Sequence, residues 1–194
     1  LSAVSMLFMA TPSCTIANRI ETCDVSDDGD NQVNQTSSGD QYPTPNRGLV
    51  RLASGLHVAT WASEDGTDLT APSEVRAALF QQDGQLLPPC GALSGDIAIS
   101  TANNEVVGRP TVAVGPTAAS PVYFVWRATD AGADPNTTLG RIQVRLMRQD
   151  LCPWNSGDAS TLILQPSEAT ENAASPSIAV RSDGLEAVVA WYSV

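Results

Sequence analysis

Apolar residues alternate with small or polar ones in three runs that each close on a tryptophan. The runs are Leu56-His57-Val58-Ala59-Thr60-Trp61, Val122-Tyr123-Phe124-Val125-Trp126 and Glu186-Ala187-Val188-Val189-Ala190-Trp191. Alternation with period two predicts β-strands. Trp61, Trp126 and Trp191 stand 65 residues apart twice over, and self-similarity at a fixed period marks a repeat architecture. A first strand carries Val50 and Leu52, then Val112 and Val114, then Ile178 and Val180, with Pro110 and Pro176 at a strand start that tolerates proline. Turns bearing glycine follow at Ser54-Gly55, at Gly115 to Pro121 and at Arg181 to Gly184, as hairpins require. After the tryptophan, Val75, Ala77 and Leu79 match Ile142, Val144 and Leu146, and Gln82-Asp83 matches Gln149-Asp150, each 67 residues on. A fourth strand is expected at Ile97 to Ile99 and at Leu162 to Leu164, with polar connectors at Thr101 to Gly108 and Pro166 to Ser175.

Four short antiparallel strands per unit predict an all-β fold, an incomplete β-propeller-like array of four-stranded repeats with a period of about 65. Residues 48–107 form repeat one, 108–174 repeat two and 175–194 a partial third, so the chain reads as a fragment. The rival fold is a string of β-sandwich domains, but immunoglobulin-like units need about 100 residues each. Residues 48–194 resemble bacterial secreted or lipoprotein-type proteins with β-propeller-like repeats, whose blades carry a strand ending in tryptophan after an Asp-Gly or Ser-Gly turn. The resemblance implies sheets packed face to face, with Trp61, Trp126 and Trp191 filling the space between neighbours. The alternative for these rings is an exposed platform that stacks on sugars. The Asp-box of sialidase-like blades does not match, because Ser63-Glu64-Asp65-Gly66 follows its tryptophan rather than preceding one.

Residues 1–14 read differently. A short, uncharged, mostly apolar stretch followed by small residues and Cys14 resembles the hydrophobic part and cleavage region of a secretory signal. Ser13-Cys14 is similar to the end of a bacterial lipoprotein box, which makes Cys14 the candidate for lipidation, although Thr11, Pro12 and the missing basic start depart from that pattern. The stretch is too short to span a bilayer as a helix. Residues 15–47 form a polar, acidic tether without apolar periodicity. Within it Asp24, Asp27, Asp28 and Asp30 around Gly29 are weak candidates for calcium, but their spacing does not match an EF-hand loop.

Charge narrows the partners. The chain of 194 residues carries 21 acidic and 10 basic residues, a net charge of -11, and every basic residue is arginine. Such a surface repels phosphate backbones, which argues against nucleic acid, and it reaches a membrane only through a lipid anchor on Cys14. Cys14, Cys23, Cys90 and Cys152 are disulfide candidates in an exported chain, and four cysteines allow three pairings. Cys90 and Cys152 both follow the third strand of their copies, so a bond between neighbouring repeats is one of them.

Catalytic chemistry is sparse. His57 is the only histidine and aligns with Val122 and Ala187, apolar positions of the sister copies, which reads as structural. Asp65, Glu64, Asp68, Asp130 and Asp134 recur in corresponding loops, whereas paired carboxylates of a glycosidase need distinct roles at one site. Arg76, Arg127, Arg141, Arg145 and Arg148 are explained by solvated sheet faces and cross-strand ion pairs. The expected function is a non-enzymatic scaffold, secreted or on the bacterial cell surface, that binds a protein or glycan through its inter-strand loops. The alternative is a glycan-active hydrolase whose catalytic blades lie outside this fragment.

Overall fold

The computed structural model describes residues 5–6, 31–32, 41–43, 48–64, 72–92, 95–100, 104–132, 139–154, 163–164, 167, 172–184 and 186–193. Every long element among them is a β-strand, and the only helical turn is a short 3-10 segment at Pro89–Gly91. Two short pairs of residues, β1 (Ser5–Met6) and β2 (Asn31–Gln32), form a small antiparallel ladder of their own. The signal-like stretch otherwise lies outside the described residues, as do Cys14, Cys23 and the Asp24, Asp27, Asp28 and Asp30 cluster.

Three antiparallel sheets carry the rest. In the first, the long strands β5 (His57–Glu64) and β6 (Ser73–Phe80) pair along their whole length. On the β5 side lie β3 (Gln41–Pro43) and β4 (Leu49–Arg51); on the β6 side lie β7 (Leu86–Leu87) and β8 (Asp96–Ala98). The second sheet repeats this plan. Its long pair is β11 (Val122–Asp130) with β12 (Arg141–Met147), flanked by β9 (Glu105–Val107) and β10 (Thr111–Val114) on one side and β13 (Ile163–Leu164) on the other. The third sheet is the hairpin of β14 (Ala173–Val180) and β15 (Ala187–Ser193).

Register tests the repeat residue by residue. Val58 faces Leu79 and Tyr123 faces Leu146; Thr60 faces Ala77 and Val125 faces Val144. The expected match of the third strands therefore holds. The first strand is displaced by one residue in copy one: Val50 pairs Val58, and its counterpart is Ala113, which pairs Tyr123. Leu52 is not in the strand at all. It starts the following turn and drops into the core at 3% exposure, so its burial mimics a strand position in the sequence. Two further differences lie at the edges. Glu105–Val107, expected as connector, extends the second sheet, and Gln41–Pro43, expected as tether, extends the first.

Because side chains alternate across a strand, each sheet offers two faces. Val58, Ala62, Val75, Ala77 and Leu79 of the first sheet pack against Val112, Val122, Phe124, Trp126 and Met147 of the second. The opposite face of the second sheet, with Tyr123, Val125, Ile142 and Val144, packs against Ile178, Val180, Val189 and Trp191 of the third. Trp61 lies with Ala59, Ala78 and Phe80 on the face of the first sheet turned away from the second. All three indoles thus occupy one register position and look back along the chain. Trp126 is 0% exposed and Trp61 5%, each packed in an apolar cluster. Trp191 is partly buried against the same layer.

Three turns share one geometry, and a fourth, at Arg181 to Glu186, follows it with one residue more before the closing pair. The N–H groups of Leu52, Gln81, Arg148 and Arg181 donate to the carbonyls of Leu56, Gln85, Cys152 and Glu186, while those of Gly55, Gly84, Leu151 and Gly184 donate back to Leu52, Gln81, Arg148 and Arg181. The last-named donors all have positive φ, from 59° at Leu151 to 89° at Gly55, as a turn ending in a left-handed residue demands. Leucine there is strained where glycine is not. The compensation is burial: the Leu151 side chain is 0% exposed in the layer between the first two sheets. Leu151→Ala and Leu151→Gly both lose that packing, but only alanine keeps the backbone strain. We expect the glycine variant to be the more stable by about 1 kcal/mol in urea unfolding, the reverse of the usual order in a strand. The opposite ranking would mean that residue 151 leaves the left-handed region.

Candidate functional site

The residues that sequence reasoning weighed for catalysis do not converge among the described residues. His57 sits in β5 between Arg51 of β4 and Phe80 of β6. Asp130 ends β11 and is ion-paired with Arg141 at 2.7 Å; that hydrogen bond and charge hold its carboxyl below the usual carboxylate range. Glu64 closes β5, and Asp65, Asp68 and Asp134 lie outside the described residues. No group of three or more histidine, cysteine, aspartate or glutamate side chains among the described residues is arranged to hold a metal.

The arginines do more than decorate solvated faces. Arg76 binds Glu74 at 2.8 Å and the buried Asp96 at 3.0 Å. Burial opposes its charge, but Asp96 and Glu74 outweigh that and leave its pKa above the ordinary guanidinium value. Arg141 joins Glu105 to Asp130 across three strands of the second sheet. Arg127 and Arg145 leave their own sheet. Arg145 donates to the carbonyl of Ile99, next to the first sheet, and Arg127 donates to the carbonyl of Ala173 and to Asn172 Oδ1, at the start of the third. Gly140 makes the second clamp feasible, since a Cβ there would meet Arg127 Nε and the Ala173 carbonyl oxygen.

One end of the second sheet carries an open cleft of roughly 380 Å³, lined by Ala118, Ala119, Arg148, Gln149, Asp150 and Trp154. Two turns build it, the β10–β11 connection and the turn after β12. Gln149 ties them together: its Nε2 donates to the carbonyls of Thr117 at 2.7 Å and Ser120 at 3.3 Å. Asp150 is held by the Cys152 N–H on Oδ1 and by Arg148 at 2.7 Å on Oδ2. Beneath it, the Cys90 N–H donates to the Asp150 carbonyl, and a disulfide joins Cys90 to Cys152. This bond between neighbouring repeats is one of the three pairings the sequence left open. Turn geometry, side-chain hydrogen bonds and a covalent staple therefore all act on residues 148–152.

Trp154 was missed by sequence reasoning because it falls outside the 65-residue series. Pro153 bridges Met147 as Leu86 pairs Phe80, so Trp154 stands where copy one has Leu87. It is 37% exposed, the most open of the described tryptophans. An aromatic plane beside a fixed carboxylate, a guanidinium and an amide can hold a ring with one apolar face and a polar rim. The disulfide fits a non-reducing, extracellular-type environment. Among the described residues no helix is long and apolar enough to cross a membrane. No protein-family model, curated protein or solved structure matches the chain, so the chemistry of the cleft itself carries the functional reading.

Proposed function

We propose that the protein is a non-enzymatic scaffold of propeller-like sheets, secreted or held on a bacterial cell surface, that binds a glycan in the cleft at Trp154. The observation that carries this reading is an exposed indole lining the same cleft as Arg148, Gln149 and Asp150 of a stapled turn. Pyranose rings present axial C–H groups on one face and hydroxyls around the edge, which suits that combination. The propeller-like arrangement is supported by the shared plan of the first two sheets and by the adjacency of the equivalent strands β4, β10 and β14. The stapled repeats support export, and an acylated Cys14 would supply the surface anchor; mass spectrometry of the native N-terminus tests that directly.

Binding is tested by titrating a panel of neutral and acidic oligosaccharides while following tryptophan fluorescence and calorimetric heat. A binding sugar is expected in the panel, and Trp154→Ala should weaken it at least about tenfold, or 1.4 kcal/mol, without changing the unfolding midpoint. No binding across the panel, or binding that Trp154→Ala leaves intact, would overturn the assignment.

A further inference from the structure

The apolar lining of the Trp154 cleft is peculiar to the second repeat, and it is a poor surface for hydroxyl groups. Copy one joins β4 to β5 through residues 52–56, whereas copy two joins β10 to β11 through the longer stretch 115–121. The tip of that stretch is Ala118-Ala119, two exposed residues with methyl side chains where turns ordinarily carry Gly, Pro, Asn, Asp or Ser. They are held in place. Gln149 Nε2 donates to the carbonyls of Thr117 and Ser120, the residues on either side of the alanines. Within the turn, the Ser120 N–H donates to the Thr117 carbonyl and the two hydroxyls meet at 2.9 Å. Ser120 is buried, and a Cβ on Gly115 would lie 2.5 Å from the Ser120 Cβ, so the turn is packed as well as bonded. Trp154 supplies the rest of the apolar lining, at the position where copy one has Leu87. The two features that copy one lacks thus meet in one cleft.

Few polar side-chain groups remain to meet a ligand. Gln149 Nε2 is engaged by the two carbonyls, and its Oε1 is buried. A flipped amide would set Oε1 against two carbonyl oxygens, so the turn requires this orientation. That leaves Arg148 and Asp150, paired at 2.7 Å, with further N–H groups on the one and further lone pairs on the other. Their charges cancel locally, and the net charge of -11 repels anions, so a carboxylated or sulfated sugar is disfavoured. A ring that bears only hydroxyls would set some of them against the alanine methyls, where they exchange water for no partner.

We propose that the cleft selects N-acetylated amino sugars, an inference that rests on the glycan reading of this cleft and narrows it. An acetamido group carries an apolar methyl at one end and a carbonyl beside it, so a single substituent matches both kinds of lining. The methyl packs on Ala118 and Ala119, the carbonyl accepts an Arg148 N–H, and a ring hydroxyl donates to Asp150. The apolar face of the ring lies on Trp154. One buried methyl and one hydrogen bond from a charged donor together account for at least about tenfold selectivity over the hydroxyl analogue.

Calorimetric titration of the full chain with matched pairs of neutral oligosaccharides tests the proposal. The members of each pair, gluco- or galacto-configured, differ only in bearing acetamido or hydroxyl beside the anomeric carbon. In at least one pair the acetamido member should bind at least about tenfold more tightly. Saturation-transfer NMR should mark its acetyl methyl protons as those in closest contact with the protein. Arg148→Met keeps the aliphatic stem but removes the N–H donors, and Ala119→Asp sets a carboxylate where the methyl would pack. Each should erase most of the acetamido advantage and leave the unfolding midpoint unchanged, since both positions are exposed. A hydroxyl member that binds as tightly as its acetamido partner would overturn the inference while leaving glycan binding in place, and so would binding to acidic sugars alone. An acetamido advantage that both variants leave untouched would overturn it as well. Absence of binding by every pair and by the wider panel would overturn the glycan reading along with it.

Discussion

Trp126→Ala is expected to lower the unfolding free energy by roughly 3 to 5 kcal/mol, the range for deleting a large aromatic side chain from a packed core. The indole is 0% exposed in the layer that joins the first sheet to the second, among Val58, Val75, Phe124 and Met147. Its removal leaves a cavity between two sheets that cannot close without sliding one over the other. The ranking across three of the rings is as informative as the size. Trp191→Ala should cost less, because that ring is only partly buried, and Trp154→Ala least, because it lines an open cleft. Trp126 Nε1 has no hydrogen-bond partner among the described residues, so Trp126→Phe forfeits packing but no hydrogen bond. It should retain most of the stability that alanine loses. Urea unfolding followed by far-UV circular dichroism measures all four variants, and a Trp126→Ala loss below that of Trp191→Ala would contradict the inter-sheet role.

Reducing the Cys90–Cys152 bond is the second large effect. The two cysteines are 62 residues apart, and opening a loop of that length releases chain entropy worth roughly 4 kcal/mol in the unfolded state. The loop spans β8 of the first sheet and β9 to β12 of the second, so its loss falls on the same layer that Trp126 fills. Cys90→Ala, Cys152→Ala and the double variant should be alike in stability, because either single change breaks the one covalent link. The same variants should weaken oligosaccharide binding at the Trp154 cleft, because the covalent link is what holds the turn carrying Asp150 against the Cys90 segment. Oxidised and reduced unfolding curves that coincide would show that the staple constrains nothing.

The repeat was legible because its signal is the alternation that burial on two faces demands, reinforced by a ring at a constant interval. Third strands could be aligned for the same reason: Val75, Ala77 and Leu79 face one neighbour just as Ile142, Val144 and Leu146 face the next. The first strand of copy one misled, because Leu52 begins a turn yet is apolar for core packing, and so copies the strand pattern one residue out. The short edge strands Gln41–Pro43 and Glu105–Val107 carry too few residues to show a period. Leu151 hid a left-handed turn because leucine gives no turn signal, and only its place opposite Gly84 in the repeat could have shown it. Arg127 and Arg145 looked like surface charges, since a sequence does not say that a long side chain crosses to the next sheet. The cleft stayed invisible because its aromatic residue belongs to one copy alone.

Trp126 and Trp191 each face the preceding sheet, and this gives the array a direction. Each module brings the filler for the joint behind it and offers an apolar surface to the joint ahead. A whole module inserted or excised would therefore leave matching surfaces in apposition, with no compensating change in the modules that remain. Length in such an assembly can change in steps of one module, while loops such as the one holding Trp154 diversify without disturbing the joints.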